Sequence, residues 1–259
     1  MMRPLPERPL SDARFVLATD LDGTFLGGTR PMRKRLYDWI EANRETVGLI
    51  FVTGRDPGFI LQMCTEKGLP WPEYVVGDVG TTIAEVRAGI GLCPIDALEA
   101  QIAEIWGDAG ETVRAALADA PGLTLQETEF RYRVSYDLDP ATFDPATKET
   151  VAALGHDVLI SDNRYFDVLP KGISKGPSIQ RLVDHLGIPP ELVLTAGDTL
   201  NDFSMLASGL QAVAVGGSET ALLERLPKAP HIHRATAIGA AGILEAIAYF
   251  DLHDAPKGH

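Results

Sequence analysis

The sequence predicts an α/β protein, with a parallel-sheet core interrupted by an inserted α+β domain. Three observations carry this prediction. Short apolar runs alternate with amphipathic, helix-length segments near both ends of the chain. The alternation lapses in the middle, where strand-like and helical stretches follow one another without that order. Polar residues capable of chemistry stand where the apolar runs end. Strand, helix, strand, helix in succession implies parallel strands with helices covering the sheet faces.

Residues 1–13, rich in Pro and Arg, read as a flexible tail without the apolar centre of a signal peptide. "RFVLAT" (14–19) is a short apolar run bounded by a turn, the signature of a buried strand. "PMRKRLYDWIEANRE" (31–45) has helical spacing, with Pro31 suited to a first turn. "VGLIFVTG" (47–54) is a second strand, and "PGFILQMCTEKG" (57–68) a helix closed by Gly68. In the middle, residues 96–120 read as helical, 123–138 as extended or hairpin-like and 141–155 as helical. Residues 157–170 read as two strands about a turn at Ser161–Asn163. The first grammar then returns, with a helix at 176–187, a strand at 192–197, a helix at 201–209 and a strand at 211–217. Helices at 219–226 and 240–250 follow. The expected division is a core of residues 14–86 and 166–259 and an insert of residues 87–165. Gly89, Gly91 and Gly172 lie near the expected crossings, where glycine would tolerate the dihedral changes of a hinge.

The 259 residues carry a net charge of −13. That balance argues against nucleic acid or an anionic membrane as partner, since both reward surplus Lys and Arg. No apolar stretch is long enough to span a bilayer. Cys64 and Cys93 have no ligand-like spacing and read as reduced thiols of a cytoplasmic protein, a monomer or small homo-oligomer.

Asp20 and Asp22 follow the first strand, and ligands of open parallel sheets bind outside the carboxyl ends of their strands. Thr53, Gly54 and Arg55 follow the second apolar run, Lys175 precedes a helix, and Asp198 and Asp202 flank "TLN" after "LVLTAG". Singly, each has a plain structural use: Asp-Gly makes turns, Asp caps helices, and a lone lysine is usually solvated. Yet a lysine at a helix N-terminus opposes the macrodipole and calls for an anionic neighbour. If residues 198–202 open a helix, Asp198 and Asp202 sit i, i+4 on one face. A carboxylate cluster needs a cation, and oxygen-only ligands with room for a phosphate suggest Mg2+. Asp20 could then attack phosphorus, and Asp22 could protonate the leaving oxygen and later take a proton from water. Thr53 and Lys175 would hold the transferring phosphoryl oxygens.

"DLDGT", "VTGR", "KGISKG" and "GDTLND" resemble the four motifs of the haloacid dehalogenase superfamily of phosphatases. The late insertion is similar to the Cof-like branch. "VGDVGTTI", "YRVSYDL", "RYFDVLPKGISKG" and "GILEAIAYF" resemble the sucrose-phosphate phosphatase group, whose relatives act on mannosylfructose phosphate and mannosylglycerate-type phosphates. The resemblance implies a Rossmann-like core, an α+β cap, and a magnesium-dependent phosphatase acting through an aspartyl-phosphate. Its substrate would be a small phosphorylated sugar, a disaccharide or glycoside phosphate such as sucrose 6-phosphate. It implies Asp20 as nucleophile and Asp22 as acid/base, with Thr53, Gly54, Lys175 and Asn201 at the phosphate. Asp20, Asp22, Asp198 and Asp202 would serve the metal. Thr199 stands where Gly or Ser is commoner in the family. Candidate sugar-reading residues of the cap are Arg131, Arg133, Ser135, Asp162, Arg164 and Lys171. Arg133 and Ser135 share a strand face by the period of two. A phosphosugar mutase is a second reading, but such mutases usually carry a helical cap between the first two motifs, and residues 25–52 hold one helix and a strand. A phospho-acceptor signalling or binding module is a third, against which Asp22 and the large insert count.

Overall fold

β1 (Phe15–Thr19) is buried along its whole length, as five consecutive apolar or small residues dictate for the centre of a parallel sheet. The computed structural model describes residues 5–254. These fall into two units, one running to Ile95 and resuming at Lys175, the other spanning Asp96–Ser174. In the first unit α1 (Arg30–Ala42), β2 (Val47–Val52), α2 (Pro57–Glu66), β3 (Tyr74–Gly77), β4 (Thr82–Arg87) and β5 (Gly91–Pro94) follow β1. The second unit holds α3 (Asp96–Trp106), α4 (Ala109–Ala116), β6 (Leu123–Leu125), β7 (Val134–Leu138), α5 (Thr147–Ala153), β8 (Asp157–Ser161) and β9 (Tyr165–Leu169). The chain then returns with α6 (Lys175–His185), β10 (Val193–Gly197), α7 (Phe203–Leu206), β11 (Gln211–Gly216), α8 (Thr220–Arg225), β12 (Ile232–Ile238) and α9 (Ala240–Tyr249).

The sheet of the first unit has the order β12-β11-β10-β1-β2-β3-β4-β5 among the described residues. It is parallel from β12 to β3, and β4 and β5 add an antiparallel edge. Thr19, the last residue of β1, lies opposite Ala196 of β10 and Phe51 of β2, so the three strands end level. Leu36, Trp39 and Ile40 of α1 join Ile243 and Ile247 of α9 in one core cluster with Phe15, Leu17, Leu49 and Phe51. α6 and α7 pack on each other, and they meet β3 and β10 respectively.

The second unit is an antiparallel sheet, β6-β7-β9-β8. Val134, Tyr136, Phe166 and Val168 cluster with Trp106, Val113 and Val151 from its helices. Alternation therefore sends Ser135 and Asp167, which pair across β7 and β9, to the opposite face. Asp162 and Asn163, both at positive φ, make the tight turn between β8 and β9 at the expected place.

Several boundaries differ from the sequence expectation. The units divide after residues 95 and 174, not 86 and 165, because β5 pairs with β4 in the core sheet while β9 pairs with β7 and β8. Gly89 and Gly91 thus turn a hairpin inside the first unit, away from the crossing, whereas Gly172, at positive φ, lies in the connection from β9 to α6 that carries the second crossing. The expected tail is anchored from its described start. Arg8 donates to the carbonyls of Glu45 and Arg44 at 2.7 and 2.9 Å, and Leu10 and Ala13 are buried; residues 1–4 lie outside the described residues. The helix expected over 96–120 breaks at Gly107, which adopts positive φ. Asp144 and Pro145 delay the helix expected over 141–155 to Thr147. The segment expected as a helix over 201–209 is a 3-10 turn, Leu200–Asp202, followed by the short α7.

Candidate functional site

The level ends of β1, β2 and β10 bring Asp20, Thr53 and Asp198 to one edge, each one residue past its strand. The sheet itself holds them. The Asp20 amide donates to the Ala196 carbonyl and the Thr53 amide to the Val76 carbonyl, both at 2.8 Å. Lys175 opens α6 and is fully buried. Its Nζ donates to Asp20 Oδ1 at 2.7 Å, Asp202 Oδ1 at 2.6 Å and Asn201 Oδ1 at 2.9 Å. The two aspartates are the anionic neighbours its place at a helix N-terminus requires, and with Asn201 they engage all three ammonium protons. Gly176 makes that placement possible: a Cβ there would overlap the Ser204 backbone, so only glycine lets the two helices approach this closely.

Asp198 and Asp202 meet for a reason other than a shared helix face. Thr199 is extended and caps the 3-10 turn, and Asp202 completes a capping box. The Asp202 Oδ2 accepts from the Asp198 and Thr199 amides at 3.0 and 3.1 Å. The departure at Thr199 therefore has a local use, with its hydroxyl also donating to Asn201 Oδ1 at 2.8 Å. The loop is braced from outside by Glu219, which accepts from the Leu200 amide at 2.8 Å and donates its own amide to the Asp198 carbonyl. Asp198 Oδ1 accepts from Thr24 at 2.6 Å. Gly23 sits at φ +78, where any Cβ would overlap the Asp198 carboxylate. That is the geometric use of "DGT": the glycine admits Asp198 and the threonine binds it.

Electrostatics are strained. Burial pushes the Asp20 carboxyl well above its usual range; Lys175 opposes the rise, and Asp202 and Asp198 add to it. Burial likewise raises Asp198 to about 7, against the hydrogen bond from Thr24 and with Asp202 and Glu219 contributing. For Lys175 burial works downward, but Asp20 and Asp202 outweigh it and hold the ammonium charged. Oxygens of Asp20, Asp198 and Asp202 lie within 4.8 Å of one another. Three carboxylates against one lysine, with oxygen donors only, suit a hard divalent cation.

The structure does not bring the Asp22 carboxylate into that group. It is half-exposed and forked by Arg55, with Nε to Oδ2 at 2.8 Å and Nη2 to Oδ1 at 3.2 Å. Thr53 is buried, and its Oγ1 accepts from the Arg55 amide at 3.1 Å. Gly54 is half-buried beside it.

The candidates of the second unit separate. Arg133 and Ser135 are buried and converge on one residue the sequence reading did not single out: Asp167 Oδ1 accepts from Ser135 Oγ at 2.5 Å and from Arg133 Nη1 at 3.1 Å. The Arg133 guanidinium also lies 3.6 Å from the Phe130 ring centroid. Arg131 is engaged by buried Glu99, at 2.7 and 3.0 Å. Lys171 pairs with Asp157 at 3.4 Å. Asp162 and Arg164 are exposed, the latter over the Tyr165 ring. Period two along "RYFDVLP" could have put Asp167 on the polar face. Nothing local in the sequence marks Thr24, Glu219 or Glu99 as partners, since each meets its mate across a long stretch of chain.

The chain is similar to known proteins along most of its length. The family model described as sucrose-6F-phosphate phosphohydrolase matches residues 13–251. A glucosylglycerol-phosphate synthase of Pseudomonas anguilliseptica is 39% identical over 91% of this chain, which spans 31% of that protein. Sucrose-phosphatase 1 of Nicotiana tabacum is 30% identical over 93% of this chain and 60% of its own length. Among solved structures, the sucrose-phosphatase of Synechocystis sp. PCC6803, in complex with sucrose and phosphate, superposes with a TM-score of 0.82. It is 26% identical, covering 92% of this chain and 98% of that one.

Proposed function

The chain belongs to the sucrose-6F-phosphate phosphohydrolase family, within the haloacid dehalogenase superfamily, and from that membership we propose that it hydrolyses a phosphorylated glycoside through an aspartyl-phosphate on Asp20. The observation that carries the reading is the buried group at the strand ends, where Lys175 grips Asp20 beside Asp198 and Asp202. Asp20 is the nucleophile, oriented by Lys175. Because all three protons of that lysine are engaged, it serves the phosphoryl group by fixing Asp20 and Asn201 rather than by a further donor. Thr53, whose oxygen already accepts from the Arg55 amide, keeps its hydroxyl proton for a phosphoryl oxygen beside Gly54. Asp22 is the acid/base. Asp202 uses both oxygens on Lys175 and backbone amides, which makes Asp20 and Asp198 the direct holders of a cation. Bound Mg2+ would offset their charge and that of the phosphoryl oxygens.

Substrate choice follows from the relatives. The higher identity to a glucosylglycerol-phosphate synthase than to the tobacco sucrose-phosphatase favours a phosphorylated glucosylglycerol over sucrose 6-phosphate. No helix among the described residues is long and apolar enough to cross a membrane, and Cys64 and Cys93 are free thiols; we place the protein in the cytoplasm. The test is phosphate release, with Mg2+, from glucosylglycerol phosphate, sucrose 6-phosphate and mannosylfructose phosphate. No release from any of them would overturn the reading. The same panel tests the second unit. Ser135→Ala should reduce turnover of the best sugar phosphate far more than that of an aryl phosphate, whereas equal losses would remove Ser135 from sugar reading. Arg133→Ala is the poorer probe, since it strands buried Asp167 without its cation.

Metal dependence carries its own pH signature. EDTA should abolish activity and Mg2+ restore it. The metal-free fold should lose stability as pH rises from the ordinary Asp value of 3.8 through about 7, because Asp198 binds its proton more tightly folded than unfolded. Mg2+ must displace that proton, so its stabilising shift in melting temperature should be larger at pH 8 than at pH 6. An equal shift at both would contradict the placement of Asp198 at the cation.

A further inference from the structure

Arg55 is left over by the mechanism above. Its guanidinium covers both oxygens of Asp22 and lies 4.6 Å from the Phe59 ring centroid at the start of α2. Its backbone is tied as well, with the amide donating to Thr53 Oγ1 and the carbonyl accepting from the Asp78 amide at 3.1 Å. Arg55 is therefore fixed at both ends, and it belongs to the same strand-end junction as Thr53. The pair is about half exposed on each side, at 50% and 53%. An ion pair so open to water contributes little to stability, so the fork needs another explanation. A two-point fork suits the ionised carboxylate, which accepts on both oxygens. Asp22 is in that form after giving up its proton, when it must next receive one.

We propose that Arg55 is a positioning residue for Asp22, orienting its carboxylate for the second half of the reaction; the inference rests on the reading of Asp22 as acid/base. In the first half the Asp20–phosphorus bond forms, the bond from phosphorus to the sugar oxygen breaks with its electron pair on oxygen, and Asp22 gives that oxygen its proton. In the second, water oxygen bonds to phosphorus, the Asp20–phosphorus bond breaks, and a proton of the water passes to Asp22. Phosphate leaves, and every group is restored. Without Arg55 the Asp22 carboxylate loses its two-point anchor, and capture of the water proton becomes the slow step.

An aryl phosphate isolates that step, because nitrophenolate departs without a proton. On 4-nitrophenyl phosphate with Mg2+, Arg55→Met should show a burst of nitrophenolate approaching one equivalent and a steady rate about 10-fold to 100-fold below wild type. Acid-quenched protein should carry phosphate on Asp20. Arg55→Lys, which keeps the charge but not the fork, should recover only part of the rate. Asp22→Asn should show the same burst, and the double variant Asp22→Asn/Arg55→Met should be no slower than Asp22→Asn alone. Melting temperatures of the Arg55 variants should stay near wild type. The assignment fails if Arg55→Met loses rate without a burst or phosphoenzyme, if it loses none, or if its effect persists undiminished on the Asp22→Asn background. If Asp22→Asn itself turns over at the wild-type rate, the acid/base reading falls first and this inference with it.

Discussion

Asp20→Asn should lower phosphate release by about 10⁴-fold or more, the scale seen when a covalent nucleophile is removed, while the protein melts at or above the wild-type temperature. The loss follows from chemistry, since an amide cannot form the acyl-phosphate. The retained stability follows from the site. Asp20 is buried and its carboxyl is pushed upward by burial and by Asp202 and Asp198. Asparagine has nearly the same shape, keeps a carbonyl oxygen for Lys175 and removes one of the crowded charges. Mg2+ affinity should fall at the same time, since one of the three clustered carboxylates is gone. The measurements are steady-state phosphate release, a melting curve and calorimetric Mg2+ titration. A fully active Asn variant would refute the nucleophile assignment. An inactive variant that had also unfolded would mean that the Asp20–Lys175 pair is structural first.

Lys175→Met should do the opposite to stability while also abolishing turnover. Lys175 is 0% exposed and donates to two carboxylates. Removing one partner from a buried ionic group typically costs about 3–5 kcal/mol, because the remaining charge stays buried and unpaired. At roughly 2–4 °C per kcal/mol for a chain of this size, the melting temperature should drop by about 6–20 °C. Two controls identify the cause. The deficit should shrink at pH 5, where Asp20, whose carboxyl burial already pushes upward, takes up a proton more readily, and Lys175→Met/Asp202→Asn should recover part of it at pH 8. A deficit independent of pH would point instead to lost packing between α6 and α7, which meet tightly at Gly176.

Much of this protein is determined by its sequence alone. An apolar pentad such as "FVLAT" can only be buried on both faces, so β1 is central and Asp20 stands at its exit. The order of βα units then requires Thr53 and Asp198 to exit at the same edge, which is how four separated motifs become one site before any coordinates exist. Local turn chemistry was equally legible, as at Asp162–Asn163 and Gly68. What depends on contacts between distant segments was not. β5 is four residues with little pattern of its own, and pairing with β4 decides that it belongs to the core sheet. β12, "IHRATAI", mixes polar and apolar residues because it is an edge strand, buried on one side only. The arrangement of Asp198 and Asp202 is set by a capping box and not by helical spacing. The fork of Arg55 on Asp22 spans 33 residues, and Asp167 reaches back 32 and 34 residues to Ser135 and Arg133. Sequence periodicity reports which face of an element is buried; it carries no information about which buried or forked partner waits on another element. Those pairings, and with them the upward push on the carboxyls of Asp20 and Asp198, are decided only when the sheet assembles.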